Sequence, residues 1–288
     1  MVARWLRSLA ATPVMLSVAF VPYVLTPSAR NLEGAGLGIA QAAARLLRIG
    51  QAEDAARLAA LTVQLIPADP RGWVLLAEAQ LRSGQNQQAG TSLARARELD
   101  PRNPGILFAQ GALALKQSQP QQAAELIREG LKLDDKNPGA YFDLGNANIL
   151  MGKGGEALAA FERASALRGD FWEAINNQAL VLYEQKKDGE AIKRWRRVLG
   201  IKPTAAEPML ALAAALNHQK PGNPESLELA HRALAGEPNY VLESYQKEQL
   251  WGSRLRGSTA QLLAEAPLKA DVERAQANAG TSNGDDEP

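Results

Sequence analysis

The sequence has no cysteine, which removes disulfides, thiolate nucleophiles and cysteine-based metal sites together and leaves the redox compartment undefined. Histidine is nearly absent: His218 and His231 are the only two, with no Asp, Glu or Cys at ligand spacing, so they read as surface or groove residues. Nor does one sign of charge prevail. With 32 Lys and Arg against 31 Asp and Glu, no overall field draws in nucleic acid or concentrates an anionic substrate. A Walker loop and a Gly-x-Ser-x-Gly elbow are missing, and Gly34-Ala35-Gly36-Leu37-Gly38 follows no strand, so it reads as a flexible joint. The sequence therefore predicts no catalytic group, metal, cofactor or small-molecule substrate.

Long apolar runs are also lacking, with one exception. After Arg4 and Arg7, an uncharged stretch from Ser8 to Ala29 carries Val14, Leu16, Val18, Phe20, Val21, Val24 and Leu25, with Trp5 and Tyr23 near its ends. It is long enough to span a bilayer. Pro13 and Pro22 interrupt it, and at roughly 0.3 to 0.6 kcal/mol per large apolar residue the gain on insertion is small. Residues 1–30 are thus a membrane anchor, giving a single-pass protein, or a cleaved secretory signal with small residues before position 20 or 30, giving an exported one. As an anchor, Arg4 and Arg7 favour a cytoplasmic N-terminus, while Arg30, Arg45 and Arg48 weaken that orientation.

What the chain has in abundance is repetition. Pro67, Pro101, Asp135, Gly169 and Pro203 recur every 34 residues, each at the end of a predicted second helix. Copies start near 36, 70, 104, 138, 172 and 206. The fourth position of the frame is bulky (Ile39, Trp73, Leu107, Tyr141, Ile175, Met209) and the eighth is small (Ala43, Ala77, Gly111, Gly145, Ala179, Ala213). Alanine follows twelve positions later at Ala55, Ala89, Ala123, Ala157 and Ala191. Small residues on both helices of a pair let the backbones approach, and Leu76, Leu144, Phe161 and Trp195 fill the space around the crossing. Asp69-Pro70, Asn103-Pro104 and Asn137-Pro138 are N-cap and first-turn pairs, and Gly84 and Gly152 to Gly155 mark turns within pairs.

Trp73, Leu144, Gly145, Tyr141, Ala157, Phe161 and Pro101 together resemble the tetratricopeptide repeat pattern over 31–238. The resemblance implies an all-α superhelical solenoid of antiparallel helix pairs, with the first helix of each pair lining a concave groove. Groove positions then hold Phe108, Leu115, Phe142, Asp143, Asn146, Ile149, Asn177, Leu180, Tyr183, Glu184 and Glu207. Of these, Phe108, Phe142, Asn146, Ile149, Asn177, Leu180 and Tyr183 are expected to bind a peptide. Asn146 and Asn177 match the asparagines with which related repeats hold a peptide backbone, and helix-to-helix hydrogen bonding is the competing role for them. Members that grip a C-terminal carboxylate add basic residues where this chain has Phe142, Glu207 and Ala211, so that specificity is not implied.

Pro221-Gly222-Asn223-Pro224 adds one residue to the last copy and moves its closing proline to Pro238. Residues 239–275 read as capping helices, near 240–256 and 258–266, over the last repeat's open face. The polar, acidic end, 276–288, reads as disordered. The basic cluster Lys186, Lys187, Lys193, Arg194, Arg196 and Arg197 reads as a solvated outer face, with contact to anionic headgroups or an acidic partner as the alternative. The expected partners are a protein or peptide client and, through the N-terminal segment, a membrane. The layout is similar to cyanobacterial and plastid assembly factors with such repeats, implying a scaffold for a membrane complex, photosynthetic in that analogy. An exported adaptor for a peptidase or envelope-biogenesis complex and a regulatory subunit of an enzyme are the alternatives.

Overall fold

The computed structural model describes residues 28–280. The segment read as anchor or signal lies outside the described residues apart from its last three positions, as does 281–288 of the expected tail. Among the described residues no helix is long and apolar enough to cross a membrane.

The architecture is all-α. Twelve helices form six antiparallel pairs: α1 (Ala29–Arg48) with α2 (Ala52–Leu65), α3 (Pro70–Arg82) with α4 (Asn86–Leu99), α5 (Pro104–Lys116) with α6 (Pro120–Leu131), α7 (Pro138–Leu150) with α8 (Gly154–Leu167), α9 (Trp172–Glu184) with α10 (Asp188–Ile201), and α11 (Ala206–Gln219) with α12 (Pro224–Gly236). Each pair also packs on the next through its second helix. First helices touch across pairs, α1 with α3, α3 with α5 and α5 with α7, and so make the inner row of the solenoid.

Local chemistry sets the helix starts. Asp69, Asn103, Asn137 and Asn223 accept hydrogen bonds from the backbone N–H groups of Arg71, Gly105, Ala140 and Glu225, and proline occupies the first turn in each case. Each such cap stabilises its helix by about 1 kcal/mol. The expected flexible joint at Gly34–Gly38 is instead part of α1, which starts from a Ser28 cap that accepts from Asn31 N. Three glycines are tolerated there because neighbouring contacts, including Ile66 against Gly36, outweigh their poor propensity.

The turns inside the first five pairs share one geometry. Gly50, Gly84, Ser118, Gly152 and Lys186 all have positive φ, between 58° and 86°. The following N–H reaches back five residues in each, as from Gln85 to Gln80 O and from Lys187 to Leu182 O, which is the Schellman closure. Ser118 and Lys186 adopt this conformation at a steric cost that glycine does not bear.

At the helix crossings the expected small residues are sealed. Ala43, Ala77, Ala179, Ala213, Ala55, Ala89, Ala123, Ala157 and Ala191 have no exposed surface, and a Cβ on Gly145 would collide with the Phe161 ring. Phe161 and Trp195 are fully buried beside these crossings. In the sixth pair Ser226, 35 residues after Ala191, fills the alanine position and donates from Oγ to Ala213 O at 2.8 Å. The extra residue therefore sits in the Pro221–Pro224 turn, as the sequence spacing predicts.

The C-terminal segment departs from the sequence reading. A single helix was expected over about 240–256; instead a 3-10 turn (Pro238–Val241), α13 (Glu243–Glu248) and α14 (Ser253–Leu263) are separated by a left-handed residue, Leu250 (φ 63°). A second 3-10 turn (Ala266–Leu268) and α15 (Lys269–Asn278) follow, so helix continues past the expected start of the tail. Both 3-10 turns and α15 cover α12, while α14 turns back and packs on α11 and α9.

Replacing Lys186 with glycine is expected to stabilise the chain by about 0.5 to 1 kcal/mol, by removing left-handed strain net of the added backbone entropy. Chemical denaturation of the purified chain checks this: no gain, or a loss, would show that Lys186 bears no such strain.

Candidate functional site

The inner row is not uniformly open. α14 lies along α9 and α11 and is fixed by a dense set of polar contacts. Arg254 donates to both carboxylate oxygens of Asp188, at 2.6 and 2.8 Å, and to Tyr183 O at 2.6 Å, with its guanidinium over the Tyr183 ring at 4.0 Å. The Arg254 guanidinium holds the Asp188 carboxyl below its usual range. Glu184 accepts from Arg254 N and Leu255 N, supplying from another helix the N-terminal cap that Gly252 cannot. Tyr183 Oη and Ser258 Oγ lie 2.8 Å apart, and Trp251 Nε1 donates to Glu207 Oε1 at 2.9 Å. Leu255 and Leu262 fill the space beneath.

The expectation that Tyr183 lines an open groove is therefore corrected, since Tyr183 is fully buried in the cluster to which α14 contributes, while Leu180, 2% exposed in the same cluster, keeps only a side on the small apolar hollow that Ile149 also lines. Tyr183 also stacks at 5.7 Å on Trp195, which holds the packing position assigned to it. Glu184 serves as the α14 cap. Phe108 is half-buried against Gly130 on α6.

Phe142, Asn146 and Asn177 are brought together at the edge of a cavity of about 630 Å³. Phe142 sits against Phe161 and Phe171, with ring centroids 5.7 and 5.1 Å away. The asparagines form a relay from the buried core to this edge: Trp195 Nε1 donates to Asn176 Oδ1 (3.1 Å), Asn176 Nδ2 to Asn177 Oδ1 (3.4 Å), and Asn177 Nδ2 to Asn146 Oδ1 (3.1 Å). The relay orients Asn146 and leaves its own Nδ2 without a further bond among the described residues. The asparagines bond each other across α7 and α9, as the helix-to-helix reading expects, and both also face the cavity. Ile149, with Val181, Leu250 and the stem of Glu184, lines a separate apolar hollow of about 260 Å³. Asp143, on the same helix, has no ion pair among the described residues, and burial pushes its carboxyl up to about 7.

Trp172, Glu173, Glu207, Glu237, Tyr240, Tyr245 and Glu248 complete the cavity wall. Burial also pushes the Glu207 carboxyl up, while hydrogen bonds from Trp251, Asn176 and Tyr240 oppose the shift. Glu173 was within reach of the sequence, because it occupies the same second frame position that points to Glu207. The residues after 236 carried no such signal, since they lie outside the repeat.

Elsewhere the arginines of the basic cluster find partners. Arg194 donates to Gln178, Arg196 pairs with Glu225 at 2.9 Å and Arg197 donates to Gly169 O. His231 Nδ1 lies 3.0 Å from Asp271. Among the described residues no group of three His, Asp or Glu is placed to hold a metal ion.

A family model for the tetratricopeptide repeat matches residues 37–104, 108–150 and 151–206. No curated protein sequence matches. Among solved structures, PilF of Pseudomonas aeruginosa is 18% identical with a TM-score of 0.64, covering 76% of this chain and 98% of that one. PilW, a type IV pilus biogenesis factor, is 18% identical with a TM-score of 0.58, covering 77% and 97%. YrrB, a TPR protein with an unusual peptide-binding site, is 17% identical with a TM-score of 0.51, covering 66% and 97%. At these identities the likeness is one of fold.

Replacing Arg254 with alanine is expected to loosen α14, at a cost of about 1 to 3 kcal/mol for the lost charge-assisted bonds. Hydrogen exchange is expected to accelerate in 250–264 while α3 to α6 stay unchanged. Uniform acceleration along the chain would mean that α14 does not open separately.

Proposed function

Because the chain belongs to the tetratricopeptide repeat family, we propose that it is a non-catalytic adaptor that holds a polypeptide client against its inner face. The observation that carries this is the cavity of about 630 Å³ bordered by α7, α9 and α11, where an oriented amide, aromatic faces and carboxylates converge on one opening. Such a lining suits an extended segment, with amides bonding the backbone and pockets taking side chains. The covered part of the inner row, along α9 and α11, confines the client to the cavity and the α1–α7 side.

The client is a subunit of a membrane complex, and residues 1–30 bring the adaptor to that membrane as a retained anchor. The charge-free stretch from Ser8 to Ala29 supports the tether. PilW is a type IV pilus biogenesis factor and YrrB has a peptide-binding site, and both are similar to this chain in fold. Tethering raises the effective concentration of the groove for membrane clients, so modest intrinsic affinity suffices.

Two experiments test this. With a photo-crosslinking amino acid at Asn146, one discrete polypeptide is expected to be captured, capture being lost on adding Phe142→Ala; the same probe at Arg196 on the outer face is expected to capture none. Equal capture from both faces would sink the inner-face assignment. For the tether, carbonate extraction with intact-mass analysis is expected to leave a full-length species in the membrane. A soluble species starting after Ala19 or Ala29 would replace the anchor by a cleaved signal and the adaptor by an exported one.

A further inference from the structure

We infer that the cavity bordered by Phe142, Trp172, Tyr240 and Tyr245 is a subsite for a cationic side chain, an arginine carried by the client polypeptide. The inference deepens the proposed function and rests on the inner face being the client site.

Four carboxylates line the cavity, Glu173, Glu207, Glu237 and Glu248, and no Lys, Arg or His lines it. Composition does not account for this, because the chain as a whole carries as many bases as acids to within one. Nor does a cation of the protein answer them. None of the four belongs to an ion pair among the described residues: Glu207 is held by the neutral Trp251 indole and Glu237 by the Asn239 amide. Glu173 and Glu248 have no hydrogen-bond partner there either. Elsewhere carboxylates near this region do find cations, as Asp188 finds Arg254 and Glu225 finds Arg196.

Aromatic faces supply the independent observation. Tyr240 lies against Tyr245, with centroids 5.0 Å apart, and against Trp251 at 5.5 Å. Tyr240 and Tyr245, with Phe142 and Trp172, give the cavity walls of negative quadrupole, which attract a diffuse organic cation and not a small, strongly hydrated one. The field of the cavity is already legible in the phenols. Glu207, Glu237 and Glu248 raise the resistance of Tyr245 to ionisation, adding to the effect of its burial.

Geometry separates guanidinium from ammonium. The planar fork of arginine stacks on a ring while bonding a carboxylate in its plane, and it keeps its charge when desolvated beside Glu207. Asn146 Nδ2, oriented by the relay through Asn177, is placed at the same edge to bond a carbonyl of the segment that carries the arginine.

The test uses the full chain and immobilised blocked peptides that differ only at the central residue: arginine, lysine or citrulline, the last having the shape of arginine without its charge. Arginine is expected to bind on the order of tenfold more tightly than citrulline, with a steep loss on adding salt. Glu173→Gln with Glu248→Gln is expected to remove the difference while leaving the melting temperature unchanged, since neither side chain bonds another. Equal binding of arginine and citrulline peptides overturns the subsite, whatever the variant does. Free arginine amide binding as tightly as the peptide would also overturn it, in favour of a small-molecule site. Crosslinking from Asn146 is a separate readout: if it captures a client while arginine gives no advantage, the adaptor stands and the cationic subsite falls.

Discussion

Close approach of two helix backbones is the constraint on which everything else in this molecule rests. Within each pair, a small residue on the first helix meets a small one on the second, as Ala77 meets Ala89 and Ala179 meets Ala191, all without exposed surface. Only glycine, alanine or, in the sixth pair, serine fits between, so the interhelical distance is set by main chain rather than by a deformable core. The large residues are then pushed to the flanks of the crossing, where Phe161 and Trp195 key one pair to its neighbour. Repetition of one crossing yields one curvature, and curvature gives the first helices an inner face.

That logic was readable in the sequence because it is periodic. Eleven glycine and alanine positions in one register, with caps at Asp69, Asn103 and Asn137, say more than any single helix propensity. Even the irregular sixth pair obeyed, with Ser226 shifted one residue and in hydrogen-bond contact with Ala213. The α1 start was misread for the opposite reason. Local propensity made Gly34–Gly38 a joint, whereas packing against α2 and the Ser28 cap hold it helical.

The site was legible only in part. The frame assigns Phe142, Asn146 and Asn177 to first helices, and they border the cavity together. The frame could not foresee that α14 would cover Leu180 and Tyr183, because the contacts that seat it join positions 66 to 75 residues apart and obey no period. Arg254, Asp188 and Glu184 are unremarkable in sequence. Their meaning appears only when the chain folds back, and more than a third of the cavity wall, Glu237 to Leu250, arrives with that return.

The folded-back helix also changes how the molecule bears load. A solenoid is a chain of nearest-neighbour couplings, so a pull on its ends is shared repeat by repeat and each can yield alone. α14 adds a coupling that skips a neighbour, tying α9 directly to the segment after α12 through the bonds that Glu184 and Tyr183 O accept from Arg254 and Leu255. The last two pairs thereby become one cooperative block, while α1 to α8 keep the compliance of a spring. Strain delivered along the chain is taken up in the first four pairs, and the cavity at the stiff end keeps its shape.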